Sequence, residues 1–324
     1  MGYAFTFPAA KLLAGCRVGC YVHYPTISGD MLRKVIERRP SYNNDARIAE
    51  SQAVSWGKYV YYYLFSLAYG AVGGWCSSLT MVNSTWTKNH IDGIWGIDST
   101  LVFPPCLSAS SHLSSQPTTV GSDRDESLMI SIGQFRPEKD HRLQLSSLKK
   151  WKTLTKLNRV LKLVLVGSCR GKEDRDRIQQ LKQFATETLG LVEGQDFEFA
   201  VDATKQQVDE LYSKALIGIH TMWNEHFGIG VVEMMAAGVI VIAHDSGGPR
   251  HDIVKDAKLP ASRAGFLATD DEEYARAMET ILSLSETDRA EIRNRAREHI
   301  RKFTEEDFAR GFVEAVQAKL LTLR

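Results

Sequence analysis

Cysteine is scarce in this chain of 324 residues: five, scattered at positions 16, 20, 76, 106 and 169. So odd and dispersed a set excludes a disulfide framework and suits a reducing compartment. Cys16 and Cys20 form a CxxxC, but no second pair lies near them, which argues against zinc. Excess charge of one sign is missing too. Forty basic and 39 acidic residues leave a net charge of +1, which excludes a broad electrostatic footprint for nucleic acid. There is no internal repeat, and no cluster of His and Asp residues at ligand spacing. The Asp-x-Asp triplets Asp123–Asp125 and Asp174–Asp176 fall in a linker and on a solvated helix and read as incidental. Asn83-Ser84-Thr85 matches a glycosylation acceptor, a triplet that arises often by chance. The opening "MGYAFTFPAAKLLAG" has neither the basic start nor the cleavage pattern of a signal peptide. One absence is local: "YVYYYLFSLAYGAVGGWCSSLTMV", residues 59–82, carries no charge. It is long enough to cross a bilayer. Its Tyr, Gly and Ser content points instead to a helix from about Lys58 to Ala71, packed internally or lying on a membrane surface, and then a short buried strand.

What is present is ordinary globular material, 44% apolar and 24% charged, in a length that suits two domains. The Ser-rich "CLSASSHLSSQPTTVGSDRDES" lacks periodicity and reads as a linker. The expected division is 1–105, a linker 106–126, a second domain 127–303 and a final helix 304–324. Beyond the linker, strands and helices alternate. "SLMISIGQ", "LKLVLVGS", "FEFAVD", "LIGIHTM" and "VIVIAH" are apolar runs of strand length. Between them lie helical stretches such as "EDRDRIQQLKQFATETLG". This alternation predicts a parallel sheet covered on both faces. The last residues form helices with acidic starts, and the charge run "DRAEIRNRAREHIRK" reads as a solvated face with i,i+4 pairs.

In a parallel sheet, ligands bind outside the carboxyl ends of the strands. Two segments at such ends carry chemistry. In "GQFRPEKDH" Gly133 lets the backbone turn, while Arg136 and Lys139 bring two cations suited to a diphosphate. Taken alone, the loop reads rather as a polar turn with snorkelling basic residues. In "NEHFGIGVVEMMAAG" a helix begins at about Phe227, and its first N–H groups make an anion site. Gly228 and Gly230 allow close approach there. Glu225 and Glu233 flank that end; eight helical residues span roughly 12 Å, the reach from a sugar past a diphosphate to a ribose. The Ser246–Pro249 turn is either structural or a ligand contact.

The stretch "NEHFGIGVVEMMAAGVIVIAHDSGG" resembles the E-x7-E signature of retaining glycosyltransferases with the GT-B fold. The blocks "HYPTISGDML", "MVNSTWTKNHI", "SIGQFRPEKDH" and "HTMWNEHFGIGVVE" resemble, within that family, the enzymes that carry mannose from GDP-mannose in α-1,2 linkage to a dolichol-linked oligosaccharide. The resemblance implies an α/β fold of two Rossmann-like doubly wound domains, and places the chain at the cytosolic face of the endoplasmic reticulum membrane. It implies other mannosyltransferases of the same pathway as partners, and no metal or other cofactor. By position, Glu225 contacts the donor mannose and Glu233 the ribose. The amides of Phe227, Gly228 and Ile229 face the sugar and distal phosphate, and Lys139 binds the diphosphate. Many members have Arg where this chain has Gln134, so Arg136 stands in for it two positions later. The His of "YVHYP", His23, lies over the donor sugar; by itself it is also compatible with a core histidine.

Only about 105 residues precede the linker. The expectation is therefore an N-terminal domain lacking its first βα unit, with two strands facing an empty slot and residues 1–105 unstable alone. Three readings stay open: a mannosyltransferase, a truncated inactive nucleotide-sugar-binding remnant, and a subunit completed by a second chain.

Overall fold

The computed structural model describes residues 3–36, 52–106, 124–254 and 263–321. Most of the Ser-rich linker lies outside them. The chain divides into two compact units, Met1–Pro105 with Glu306–Arg324, and Cys106–Glu305.

The second unit is built on six parallel strands: β4 (Asp125–Ile132), β5 (Lys162–Gly167), β6 (Phe197–Val201), β7 (Ala215–His220), β8 (Ile240–His244) and β9 (Phe266–Ala268). Their order across the sheet is β6-β5-β4-β7-β8-β9. β7 and β8 are buried along their whole length, which is why they read as continuous apolar runs without alternation. The connecting helices are α4 (His141–Leu154), α5 (Lys172–Gln183), α6 (Lys205–Lys214) and α7 (Ile229–Ala236), followed by α8 (Asp271–Ser283) and α9 (Glu286–Ile300). Their starts are chemically marked. Thr204 and Gln207 form a capping box on α6, and Asp270 accepts from the amides of Glu272 and Glu273 at α8, satisfying donors that a helix start leaves unpaired. Asp125, expected in the linker, instead opens β4. β9 carries no long apolar run and was not anticipated.

The charge run of α9 holds the expected i,i+4 pair at Glu291–Arg295 but departs from a wholly solvated face. Arg289, Arg293 and Arg297 are buried. Spaced four apart, they share one side of the helix with Ile292, Ala296 and Ile300. Arg289 donates to the carbonyls of Ile281 and Leu282 at the end of α8 and pairs with Glu126, while Arg293 pairs with Glu286. The Arg289 guanidinium here closes a neighbouring helix end, a use of charge that periodicity cannot distinguish from solvent exposure.

The first unit holds three parallel strands, β1 (Val18–Val22), β2 (Ser77–Val82) and β3 (Thr100–Leu101), in the order β1-β2-β3. No empty slot separates them, because successive crossovers place each strand beside its predecessor. The unit also includes the C-terminal α10 (Glu305–Val316): Phe308 meets Tyr21 edge-on at 5.8 Å, and Arg17 donates to the Leu320 carbonyl. Among the described residues its other α-helices are α1 (Gly29–Ile36), α2 (Gln52–Cys76) and α3 (Thr85–Trp95). α2 runs five residues past the expected end at Ala71. The glycines that suggested a stop serve close packing instead: a Cβ on Gly73 would strike the Trp95 ring, and one on Gly70 or Gly74 would strike the α3 backbone. Among the described residues no helix is long and apolar enough to cross a membrane.

The core of the second unit includes Trp151, which is fully buried and donates through Nε1 to Glu279 at 2.9 Å. Trp151→Ala leaves a large cavity and removes one of the hydrogen bonds that Glu279 accepts, and is expected to cost about 3–5 kcal/mol. Urea unfolding of the full chain checks this, with Trp151→Phe expected to lose distinctly less.

Candidate active site

The sheet order places a topological switch between β4 and β7. Crossovers leave toward β5 on one side and β8 on the other, so the loops after β4 and β7 diverge and a crevice opens at their carboxyl ends. The two strands pair at Met129 with Ile217 and Ile130 with Gly218. Gly218 lacks the Cβ that would come within 2.5 Å of Met234, so α7 settles closely on β7.

Both loops carry residues singled out above, and the structure joins two of them. Lys139 Nζ lies 2.6 Å from Glu225 Oε2 and 3.2 Å from Met222 Sδ. His220, the last residue of β7, brings Nε2 to 3.3 Å from the same carboxylate oxygen. That nitrogen is buried, and the Glu225 carboxylate is the polar group beside it. Burial alone would push the Glu225 carboxyl up, but the adjacent His220 and Lys139 outweigh it and hold the group well below the usual carboxylate range. The result is an ionised carboxylate at the crevice with a cation in direct contact.

Polar ties hold the loops together. The Thr221 hydroxyl donates to the Lys139 carbonyl at 2.7 Å and receives the Gln144 side-chain amide at 3.0 Å. The Tyr274 hydroxyl donates to the His220 carbonyl at 2.8 Å. Asn224 sits at φ +52 with its amide on the Ser246 hydroxyl at 2.7 Å. The open question about the Ser246–Pro249 turn is answered in structural terms. Gly247, at φ +59, and Gly248 lie flat against residues 224–227: any Cβ on them would collide with the Glu225 or Phe227 carbonyl, and the Gly248 amide donates to Glu225 at 2.8 Å. The turn braces the loop that presents Glu225.

The remaining candidates are distributed as follows. α7 starts at Ile229, two residues later than expected, because Gly228 holds φ +112 as its N-cap. Phe227 is buried edge-on against Phe303 at 5.1 Å, and Ile229 is exposed. Gly133 turns the chain without a positive φ, and a Cβ there would touch only the Lys139 stem at 3.5 Å, so the turn itself does not require glycine. Glu233 is not drawn into the Lys139–Glu225 cluster; it accepts from the Tyr212 hydroxyl at 3.2 Å, and its charge, together with burial, pushes the Cys106 thiol up to about 12. Arg136 is exposed and lines a separate small cavity with Arg142 and Arg177. His23 belongs to the first unit, where it packs against Tyr21 and borders a cavity of about 490 Å³ lined by Tyr24, Tyr69 and Trp95. Among the described residues no group of three His, Cys, Asp or Glu side chains gathers as for a metal ion. His220 and Tyr212 were missed; the signal for His220 was its place as the last residue of an apolar run, five before Glu225.

Residues 115–301, more than half of the chain, match the family described as "Glycosyl transferases group 1". The chain belongs to the group 1 glycosyl transferases. Residues 1–95 of this group 1 member match "ALG11 mannosyltransferase N-terminus". It is 46% identical to the Mus musculus GDP-Man:Man(3)GlcNAc(2)-PP-Dol alpha-1,2-mannosyltransferase, with 99% of this chain and 64% of that protein covered. To the Homo sapiens protein of the same name it is 44% identical, covering 98% and 64%. The chain thus spans just under two thirds of the length of these curated relatives. In fold it is similar to Anabaena Alr3699/HepE, at a TM-score of 0.63 and 16% identity over 99% of this chain and 75% of that one. It is also similar to an alpha,alpha-trehalose-phosphate synthase from Burkholderia xenovorans, at 0.66 and 9% over 97% and 72%. The fold is α/β of the GT-B type.

A carboxyl with a depressed pKa contributes stability that is full above its ordinary value and is lost as pH falls toward the depressed one. Replacing Lys139 by Met is expected to cost about 3 kcal/mol at pH 7. The gap from wild type should narrow steadily as pH drops through the carboxylate range, because the variant's Glu225 protonates first. Thermal melts from pH 7 downward at fixed ionic strength measure this; a gap that widens in acid contradicts the pairing.

Proposed function

We propose that this chain transfers mannose from GDP-mannose, in α-1,2 linkage with retention, to a dolichol-diphosphate-linked oligosaccharide, adding the fourth and fifth mannoses of the N-glycan precursor. The observation that carries the reading is the Lys139–Glu225 pair at the switch-point crevice, in a chain 46% identical to a relative named for this reaction. On donor binding, Lys139 turns from Glu225 to the diphosphate, and Glu225 accepts hydroxyls of the mannose. Gly133 leaves room over the Lys139 stem. The start of α7, with the amides of Phe227, Gly228 and Ile229, faces the distal phosphate and sugar. Glu233 exchanges the Tyr212 hydroxyl for those of the ribose, and His23 of the first unit acts at the donor sugar. Stabilising the departing GDP is the main catalytic work; the acceptor hydroxyl then attacks from the face the phosphate leaves, with its proton passing to that phosphate.

The acceptor is a lipid, and α2 supports contact with a membrane surface. From Gln52 to Cys76 it has no acidic residue and leaves Trp56, Val60, Tyr63, Leu64 and Leu67 exposed, on one stripe of the helix. Aromatic and aliphatic groups of this kind suit the bilayer interface. The corresponding location is the cytosolic face of the endoplasmic reticulum, beside other mannosyltransferases of the pathway.

The test is transfer of labelled mannose by the full chain to Man(3)GlcNAc(2)-diphosphate-lipid, with GDP binding and circular dichroism measured in parallel. Glu225→Ala and Lys139→Ala are each expected to lower turnover at least about 100-fold with the fold retained; near wild-type transfer by either refutes its role. GDP binding without any transfer would instead favour the remnant or the subunit needing a second chain.

The reaction is further expected to need no divalent ion, since Lys139 and the helix end face the diphosphate. Turnover after chelation should equal that before; loss in EDTA, restored by magnesium or manganese, would show a metal requirement.

A further inference from the structure

Three arginines of the second unit hold no carboxylate in an ion pair among the described residues. Arg136 precedes the short 3₁₀ turn after β4, Arg142 is the second residue of α4, and Arg177 lies midway along α5. All three line one cavity of about 120 Å³, together with Asp140, His141 and Gln180. Among the described residues none of the three has an ion pair or side-chain hydrogen bond, whereas Arg159, Arg250, Arg276, Arg289 and Arg310 each hold a carboxylate. Arg142 is nonetheless held in place, with its guanidinium 4.5 Å over the Phe184 ring. The one carboxylate of the cavity, Asp140, serves as N-cap of α4 and accepts from the Leu143 amide at 3.2 Å. Three cations therefore converge on a small space with a single acid already engaged. The neighbouring His141 reports the same field: burial first, then the charges of Lys139, Arg177 and His220, push its imidazole down to about 4. At neutral pH it adds no charge of its own but leaves a buried ring at the cavity wall.

Guanidinium forks match the oxygens of phosphoryl groups, and the cavity has the scale of one such group rather than of a nucleoside. We propose that Arg136, Arg142 and Arg177 form a binding site for a phosphate-class dianion, separate from the Lys139–Glu225 crevice. The site is mechanically joined to that crevice. The Lys139 amide donates to the Arg136 carbonyl at 3.1 Å, so an anion gripping Arg136 fixes the turn that carries Lys139. The inference does not depend on the identity of the sugar donor.

The experiment uses the full chain and two probes: inorganic phosphate, and phosphatidylcholine vesicles with or without phosphatidic acid. Phosphate at constant ionic strength, against a chloride control, is expected to raise the melting temperature by about 3 °C at tenfold excess over its Kd. Lys139→Ala should keep this shift, which separates it from anion binding at the crevice. Arg142→Gln with Arg177→Gln should weaken binding about tenfold or more, with circular dichroism and GDP affinity unchanged. A response to free phosphate assigns a soluble source. A response only to vesicles carrying phosphatidic acid, lost in the double variant, assigns a lipid headgroup. Equal responses of wild type and double variant, or none to either probe, overturn the site.

Discussion

The parallel pairing of β4 with β7 is the constraint on which the site rests. Because the chain leaves β4 toward one edge of the sheet and resumes at β7 toward the other, the two following loops have no helix between them. Lys139 and Glu225, 86 residues apart, meet only for this reason. The tight contact of α7 on β7 across Gly218 and the ties from Thr221, Gln144 and Tyr274 then hold a partly buried ion pair in a fixed place. The sheet supplies the opening, and the polar ties decide what faces it.

Much of this was legible from residue order. The central strands β7 and β8 are buried along their whole length, so they appear as unbroken apolar runs, and the alternation of strands with helices leaves few topologies. Lys139 and Glu225 stand out because charged residues next to such runs fall at strand ends. Other parts were hidden for physical reasons. His220 ends a buried strand and looks like core until its neighbour across the crevice is known. Tyr212, partner of Glu233, sits on a helix whose face cannot be related to α7 by spacing. The three buried arginines of α9 alternate with acidic residues as a solvated helix does, and the bonds of Arg289 to the end of α8 and of Arg293 to Glu286 appear only once the neighbours are known.

Glycine was the residue most easily misread. In α2 it suggests a terminus and instead marks where a second helix approaches. At Gly133 it suggests a demand for unusual dihedral angles that the backbone does not make. At Gly247 and Gly248 it is required, because the turn lies on carbonyl groups of another loop. A single residue type thus serves three purposes that the one-letter code does not separate, and only the atoms a missing Cβ would meet tell them apart.

The Lys139–Glu225 contact has a consequence for selectivity. With the ammonium already neutralised by a carboxylate, the crevice offers passing anions no bare positive charge. An incoming group must replace that carboxylate at the lysine and at the same time give it hydroxyls to accept from. A bare diphosphate does only the first, and a free sugar only the second. Under the proposed function, a molecule carrying both at the right separation would do the two together, and the crevice would act as a coincidence detector for the joined pair.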